Sequence, residues 1–591
     1  MSDLPNNKHI SRRRFLTLTG GAAGMAALAS TGMAMGWGEN TPELDPEGMN
    51  QQKHNTDVLV IGGGMAGLFA AVKAHDAGAG TLLVSKGRLG SSGQTPFAKG
   101  IFAFDPASEK LSLDEFVEQI SLSAMGTNNP VYTRQMAEHS MARVNELREW
   151  GFFESPLYNK SFSKPIQERQ IPVLERVVIT HLIKEEGRIA GAAGFSLDEE
   201  KIHIFEAKSV ILCTGAGGFK PNGFPINDLT HDGTVMAYQI GAKVTGKEWN
   251  DGHPGQAEHP AACFDGWHGM FEKKPDITRV GIRHDLGVDS NYQAYMLGNP
   301  ISGGPGQGRG NAITGGPRRP EGLQQMGPGG PDGPGGEGPE GKRPGRERPE
   351  GKDRGGEPEG PPPGMGGSSA GMAIHKAEGL VPINDRCESN IPGLYAAGDA
   401  LGSHMAGGIY TQIGSSLSGS AVQGAIAAEA AATYCAGIEV RAIPAIRINE
   451  IQEEILAPLK REAGYGPAWV TQTLQGIMIP NFILYIKKEN LLKAALAYIE
   501  ELRDHHMPLL RAADMHELRL AFETSHMILS AEMKLRASLM RTESRCSHYR
   551  LDYPETDEEN WRAWINIFKG QNGSMQLEKQ PWDSWQGQIQ T

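Results

Sequence analysis

The sequence predicts an α/β protein built on a doubly wound, dinucleotide-binding fold, and three stretches predict it. A strand, a glycine turn and a helix follow one another at 57–72. A further strand stands at 81–84. A third strand ends in Thr214-Gly215, and a matching glycine-flanked strand comes much later, as Gly393-Leu394-Tyr395-Ala396-Ala397-Gly398-Asp399.

Asp57 to Ile61 is a short β-branched run, followed by Gly62-Gly63-Gly64-Met65-Ala66-Gly67 and then Leu68, Phe69, Ala71 and Val72 in helical period. Gly62 permits the tight turn, Gly64 lets a pyrophosphate approach the backbone, and Gly67 lets helix and strand pack closely, while the helix N-terminus faces the phosphates. A second strand, Thr81 to Val84, follows. An acidic ribose ligand is expected at its end, about 20 residues past the glycines. That place holds Ser85-Lys86, which argues against ordinary NAD readout. Glu175 to Phe205 reads as two or three strands around a Gly-Arg turn, feeding the apolar run 207–218.

The chain of 591 residues is long enough for two to four domains at about 150 residues each. A net charge of -12 with 21% charged residues offers no basic surface for nucleic acid. Five cysteines, none in CxxC spacing, supply neither an iron–sulfur ligand set nor a zinc ribbon, so any cluster must lie in a partner.

Ser11-Arg12-Arg13-Arg14-Phe15-Leu16 precedes Leu18 to Ala34, a mildly apolar segment rich in glycine and alanine that ends in small residues. This is the layout of a signal peptide, too short and weak for a membrane span. The arginine pair resembles the twin-arginine export signal, which implies an exported, periplasmic or otherwise extracytoplasmic protein folded around a cofactor. Cleavage near Ala34 or Gly36 would leave Thr41 to His54 as a polar leader.

The strand end at Thr214-Gly215 with the distant G-L-Y-A-A-G-D resembles the fumarate reductase and succinate dehydrogenase flavoprotein superfamily, whose relatives include aspartate oxidase and the alpha chain of adenylylsulfate reductase. Ser85-Lys86 with Thr95 to Gly100 stands where that family has S-K and S-H-T-x-A-A-x-G. Asp232-Gly233 matches its G-D-G, and Gly241-Ala242-Lys243-Val244 leads through Glu248-Trp249 to His253-Pro254. Near the C-terminus, Arg541-Thr542-Glu543-Ser544-Arg545, His548-Tyr549-Arg550 and Asp552-Tyr553-Pro554 resemble its R-x-E-S-R-G-A-H-x-R-x-D-Y-P segment.

The resemblance implies a two-dinucleotide-binding, Rossmann-like FAD domain with an inserted α+β capping domain and a C-terminal helical domain. The expected divisions are a signal peptide at 1–36, FAD domain at 55–240 and 386–440, capping domain at 241–385 and helical domain at 441–591. It implies FAD held by Gly62, Gly64, Met65, Ala66, Gly67, Ser85, Lys86, Thr95, Gly100, Thr214, Gly215, Asp232, Asp399, Ser416 and Leu417. Gln94 stands where respiratory members have their flavin-linked histidine, so FAD is expected to bind noncovalently. Losing that link lowers the driving force for oxidising a saturated acid and favours reduction of an activated double bond.

The family's carboxylate-gripping arginine has no counterpart, since no Arg occurs from Cys387 through Val440. His253, 21 residues past Asp232, is the first catalytic candidate, and His404, among the glycines of the loop expected over the flavin ring, is the second. Gly303 to Gly367 is roughly half glycine and proline, which predicts a disordered insert at 302–368. Ile448 to Leu539 is helical by period, and the Arg541 to Pro554 segment reads as a salt-bridged structural turn.

The expectation is an FAD-dependent oxidoreductase acting on a small organic substrate, with a separate iron–sulfur or haem subunit exchanging electrons. Nucleic acid and an integral membrane span are not expected. An aspartate-oxidase-like enzyme, an adenylylsulfate-reductase-like enzyme and a flavin electron-transfer subunit without its own substrate are the rival readings.

Overall fold

The computed structural model describes residues 49–97, 101–104, 112–153, 158–220, 226–250, 377–402, 404–408, 415–479, 481–484, 486–585 and 587. The leader 1–36, the insert 302–368, Gly100 and His253 lie outside the described residues.

Strand β1 (Asn50–Ile61) runs into helix α1 (Met65–Asp76), and β2 (Thr81–Ser85) returns parallel beside β1. Helices α2 (Leu113–Ser123), α3 (Pro130–Glu149) and α4 (Tyr158–Glu168) precede β3 (Val173–Glu175), which pairs in parallel with β2. Caps fix two of these starts. Ser112 and Glu115 form a capping box on α2, and the Asn129 side chain accepts from Val131 N at the start of α3, where Pro130 needs no donor. Strands β4 (Val177–Glu185), β5 (Arg188–Ser196) and β6 (Lys201–Leu212) form an antiparallel meander around Gly187-Arg188, matching the sequence expectation.

The sheet order is β3-β2-β1-β6-β5-β4, and it forks at β6. The N-terminal half of β6 pairs with β5, whereas Val210 to Leu212 pair in parallel with Leu394 to Ala396 of β9 (Leu394–Ala396). The distant G-L-Y-A-A-G-D segment therefore completes the sheet beside the strand that ends at Thr214, as a second nucleotide half should.

The first strand is longer than the sequence suggests. The polar residues expected as leader, from Asn50 to His54, pair with Lys201 to Phe205 of β6. They are mostly exposed because this end overhangs the core, and His54 stacks on Phe205 with ring centres 4.8 Å apart. Backbone pairing, not apolar burial, extends the strand here.

Residues 58–61, 82–84 and 210–212 are buried beneath α1 and α6 (Ser415–Ala436). Helix α6 is alanine-rich, and its small side chains let it approach α1 closely: a β-carbon at Gly424 would collide with the Ala66 carbonyl.

The C-terminal region packs around a second core, with α7 (Ala445–Lys460), α8 (Pro467–Met478), α9 (Glu489–Glu501) and α10 (Met515–Met540). It is not helical throughout. Beyond a short parallel pair, β10 (Ile486–Lys487) with β11 (Tyr549–Arg550), the hairpin β12 (Ala563–Lys569) and β13 (Met575–Pro581) joins β7 (Val244–Thr245) and β8 (Gly379–Leu380) in a four-stranded sheet of order β13-β12-β7-β8. The described ends of the segment expected to cap the FAD domain are thus held by strands from the C-terminus.

Candidate cofactor and active site

A cavity of about 870 Å³, counted to its open mouth, lies at the C-terminal ends of β1, β2 and β6, where open α/β sheets bind their ligands. Its floor is the glycine turn. Gly62 adopts φ +121°, and a β-carbon there would collide with the Cys213 carbonyl. Gly67 presses against the Gly62 carbonyl oxygen, so each glycine does what its place in the motif predicts. Thr95 Oγ1 accepts from Met65 N at 3.1 Å and ties the first turn of α1 to the 93–97 segment.

The wall brings together residues far apart in sequence: Ser85, Lys86 and Gln94, then Thr214 and Gly215, then Asp228, Asp232 and Asp399. The buried Gln94 Nε2 and Thr214 Oγ1 have no hydrogen-bond partner among the described residues. Such atoms in a glycine-floored cleft are what a polar cofactor satisfies, and the residues present fit a dinucleotide.

Asp232 stands in the first turn of α5 (Asp232–Gln239) and accepts from Lys86 Nζ at 2.7 Å. Lys86 Nζ also donates to Glu523 of α10 at 2.8 Å and Thr230 at 3.2 Å. Burial works against the Lys86 charge, but Asp232, Glu523 and Asp228 outweigh it and raise its pKa above the usual lysine range. Burial likewise opposes the Asp232 carboxylate, yet Lys86 and His526 hold it well below the usual range.

Residues 57–164 match the model of an FAD-binding domain, and residues 471–589 match the C-terminal model of the fumarate reductase flavoprotein. The chain is an FAD-dependent oxidoreductase of the fumarate reductase/succinate dehydrogenase flavoprotein type. It is 26% identical to an uncharacterised FAD-dependent oxidoreductase of Methanocaldococcus jannaschii, over 90% of this chain and 100% of that one. It is 24% identical to a CoM/CoB fumarate reductase subunit of Methanothermobacter marburgensis, over 88% and 98%. Its fold is that of the adenylylsulfate reductase of Archaeoglobus fulgidus, with TM-score 0.66 and 20% identity over 91% and 98% of the two chains.

In this flavoprotein, Gly62, Gly64, Met65, Ala66, Ser85, Lys86, Thr95, Thr214, Gly215, Asp232 and Asp399 all line the cavity. Gly67 supports the floor from beneath. Ser416 and Leu417 begin α6 and are not among the lining residues; Ser420, one turn on, takes that place. The 3.6-residue period of the helix, invisible without its start, decides which serine faces in.

His404 does not line this cavity. It is 1% exposed and packed between Trp564 and Tyr132, with ring centres 5.3 and 6.0 Å away. Neither ring nitrogen has a partner among the described residues, and burial lowers its pKa to about 3. It is a neutral imidazole at physiological pH, able to donate or accept one hydrogen bond without carrying charge.

The Arg541 to Pro554 segment is a buried ion network, as the sequence reading holds. Arg541 bridges Glu248 and Glu543, Arg545 holds Glu543, and Arg550 holds Asp552. Above it, Glu378 receives Lys247, Lys534 and His231, all buried. Burial lowers the Lys247 pKa to about 8 and holds that of Lys487 well below the usual lysine range. Sequence reasoning missed Glu378, Lys247 and Lys534, charges in mixed polar and apolar stretches that no motif or periodicity marks.

Proposed function

We propose that the mature chain, exported by the twin-arginine route after loss of residues 1–36, reduces an activated C=C bond of a small organic substrate, drawing electrons through a separate iron–sulfur or haem subunit. FAD, once bound, supplies the two-electron chemistry, and the chain supplies orientation and electrostatics. Gln94 on the cavity wall carries this reading. With glutamine where respiratory relatives have the linking histidine, the flavin keeps the lower potential of a noncovalent cofactor, which favours giving electrons to an electron-poor alkene over taking them from a saturated acid. The CoM/CoB fumarate reductase relative, similar over most of both chains, supports the same direction.

The chain's own residues divide the work. The glycine turn and the N-terminus of α1 bind the anionic part of the cofactor, Lys86 and Asp232 fix the charge at the cavity wall, and Thr214 and Gln94 offer hydrogen bonds. His253, in the segment that follows Asn250, is the proposed group that polarises the substrate carbonyl. The absence of arginine from Cys387 through Val440 favours an acceptor other than a dicarboxylate, and it also supports a second reading, an electron-transfer flavoprotein with no substrate of its own.

Anaerobic flavin spectroscopy separates them. Reduced protein mixed with a panel of enoates regains the oxidised flavin band with one compound class if the first reading holds. Indifference to the whole panel, with FAD bound and acid-extractable, leaves the second.

A further inference from the structure

We infer that Glu523 and His526 of α10 are positioning residues of the cofactor site, and that FAD retention depends on this helix although neither residue lines the cavity. Lys86 is the one cation among the described lining residues, which include three carboxylates, Asp228, Asp232 and Asp399. All three hydrogens of its ammonium are taken, by Asp232, Glu523 and Thr230. Glu523, 1% exposed, binds Lys86 with one oxygen and Lys220 with the other at 2.9 Å, and Arg519 stands 3.6 Å away. His526, one turn further along the same face, bonds the outer oxygen of Asp232 from Nδ1 at 2.8 Å, while Thr230 donates to that oxygen at 2.9 Å.

Three contacts link the four side chains in a row, Glu523 to Lys86, Lys86 to Asp232 and Asp232 to His526, and both ends of the row stand on α10. Lys86 and Asp232 are on the FAD-binding side, and Glu523 and His526 are on α10, more than 290 residues away in sequence. Anchored at both ends, Lys86 and Asp232 cannot change rotamer independently, so the charge presented to a pyrophosphate is set from α10. The cations Lys220, Arg519 and Lys86 lie against Glu523 and Asp232 and reduce the negative charge that these two carboxylates would otherwise add beside an anionic cofactor. Without Glu523, Lys86 turns onto Asp232 alone. Without His526, that Asp232 oxygen keeps only the neutral Thr230 hydroxyl as its partner.

The test compares FAD dissociation constants, read by flavin fluorescence on the mature full chain, for Glu523→Gln, His526→Leu and Glu532→Gln. Glu532 is the control: it is equally buried on the same helix but paired with Arg503 and Arg536, away from the cavity. Losing one partner of a buried charge pair acts chiefly on dissociation, so the first two variants should release FAD about tenfold more readily. They should also show a smaller rise in Tm on adding FAD, whereas Glu532→Gln loses Tm without changing the dissociation constant. Lys86→Met combined with Glu523→Gln should bind no worse than Lys86→Met alone. If Glu523→Gln does not fold, His526→Leu and His526→Asn carry the comparison. FAD constants within twofold of the parent for these variants, with Tm losses like that of Glu532→Gln, would overturn the inference and leave these contacts a structural brace only.

Discussion

Arg541 and Glu248, 293 positions apart, meet in a salt bridge at 2.8 Å with neither side chain exposed. The guanidinium is also sandwiched, with its carbon 4.5 Å from the Trp249 ring centre and 5.0 Å from that of Trp561. This pair fastens the start of the C-terminal motif to the segment that follows β7. Arg541→Met should cost about 3–5 kcal/mol, because buried Glu248 loses its cationic partner, while Glu543 keeps Arg545. Urea denaturation of the FAD-loaded chain measures it, and Arg541→Met with Glu248→Leu should recover part of the loss.

Gly67→Ala should abolish cofactor binding more completely than any change at the cavity wall. The added carbon collides with the Gly62 carbonyl, so the helix must shift from the turn that aims its N-terminus. The expected outcome is protein purified without flavin colour and with a lowered Tm; yellow protein with the parent's flavin content would refute the packing argument.

His404 gives the stability a pH dependence of known sign. Folded, its pKa is lowered from 6.5 to about 3 by burial. Between those values the unfolded chain binds a proton that the folded chain refuses, so this contribution is intact above pH 6.5 and is lost as pH falls towards 3. His404→Phe should therefore flatten the fall in stability over that window by up to ~1.4 kcal/mol per pH unit. Parallel melting curves from about pH 4 to 7 for parent and variant would show an equal slope if the ring were already charged in the fold.

Cys213, Cys387, Cys435 and Cys546 are all buried and unbridged. Burial pushes each thiol pKa up, that of Cys546 to about 12, so the reactive thiolate is scarce. A thiol reagent should leave these four unmodified in the native chain and label them once urea is added. Rapid native labelling of Cys213, at the cavity wall, would mean the floor opens more than its packing allows.

The nucleotide-binding half of the fold was legible because its signals are local. The glycine turn, the β-branched strands and the Gly187-Arg188 turn each lie within a few residues of what they determine. The second half was legible only through a motif: Leu394 to Ala396 is three residues of strand, too short for periodicity to find. Polar Asn50 to His54 joins β1 through backbone pairing with β6, and the hairpin of β12 with β13 takes β7 as a third strand from more than 300 positions away, for which the sequence holds no nearby cue. At the site, the lining glycines and Asp232 were readable by spacing. Glu523 and His526 were not, since a glutamate and a histidine three apart on a helix normally face solvent.

The pairing of β7 with β8 places Val244 opposite Leu380 and Thr245 opposite Gly379, with Lys534 tying the Lys247 and Trp249 carbonyls to Glu378. The described residues on either side of positions 251–376 are therefore pinned together, with a β-carbon at Gly246 having no room beside the Ala377 carbonyl. Closing a long excursion costs little more than closing a short one, because the entropy grows only with the logarithm of its length. A change of chain length between anchors fixed in this way leaves the pairing of β7 with β8 in place, and the nucleotide-binding sheet does not depend on it.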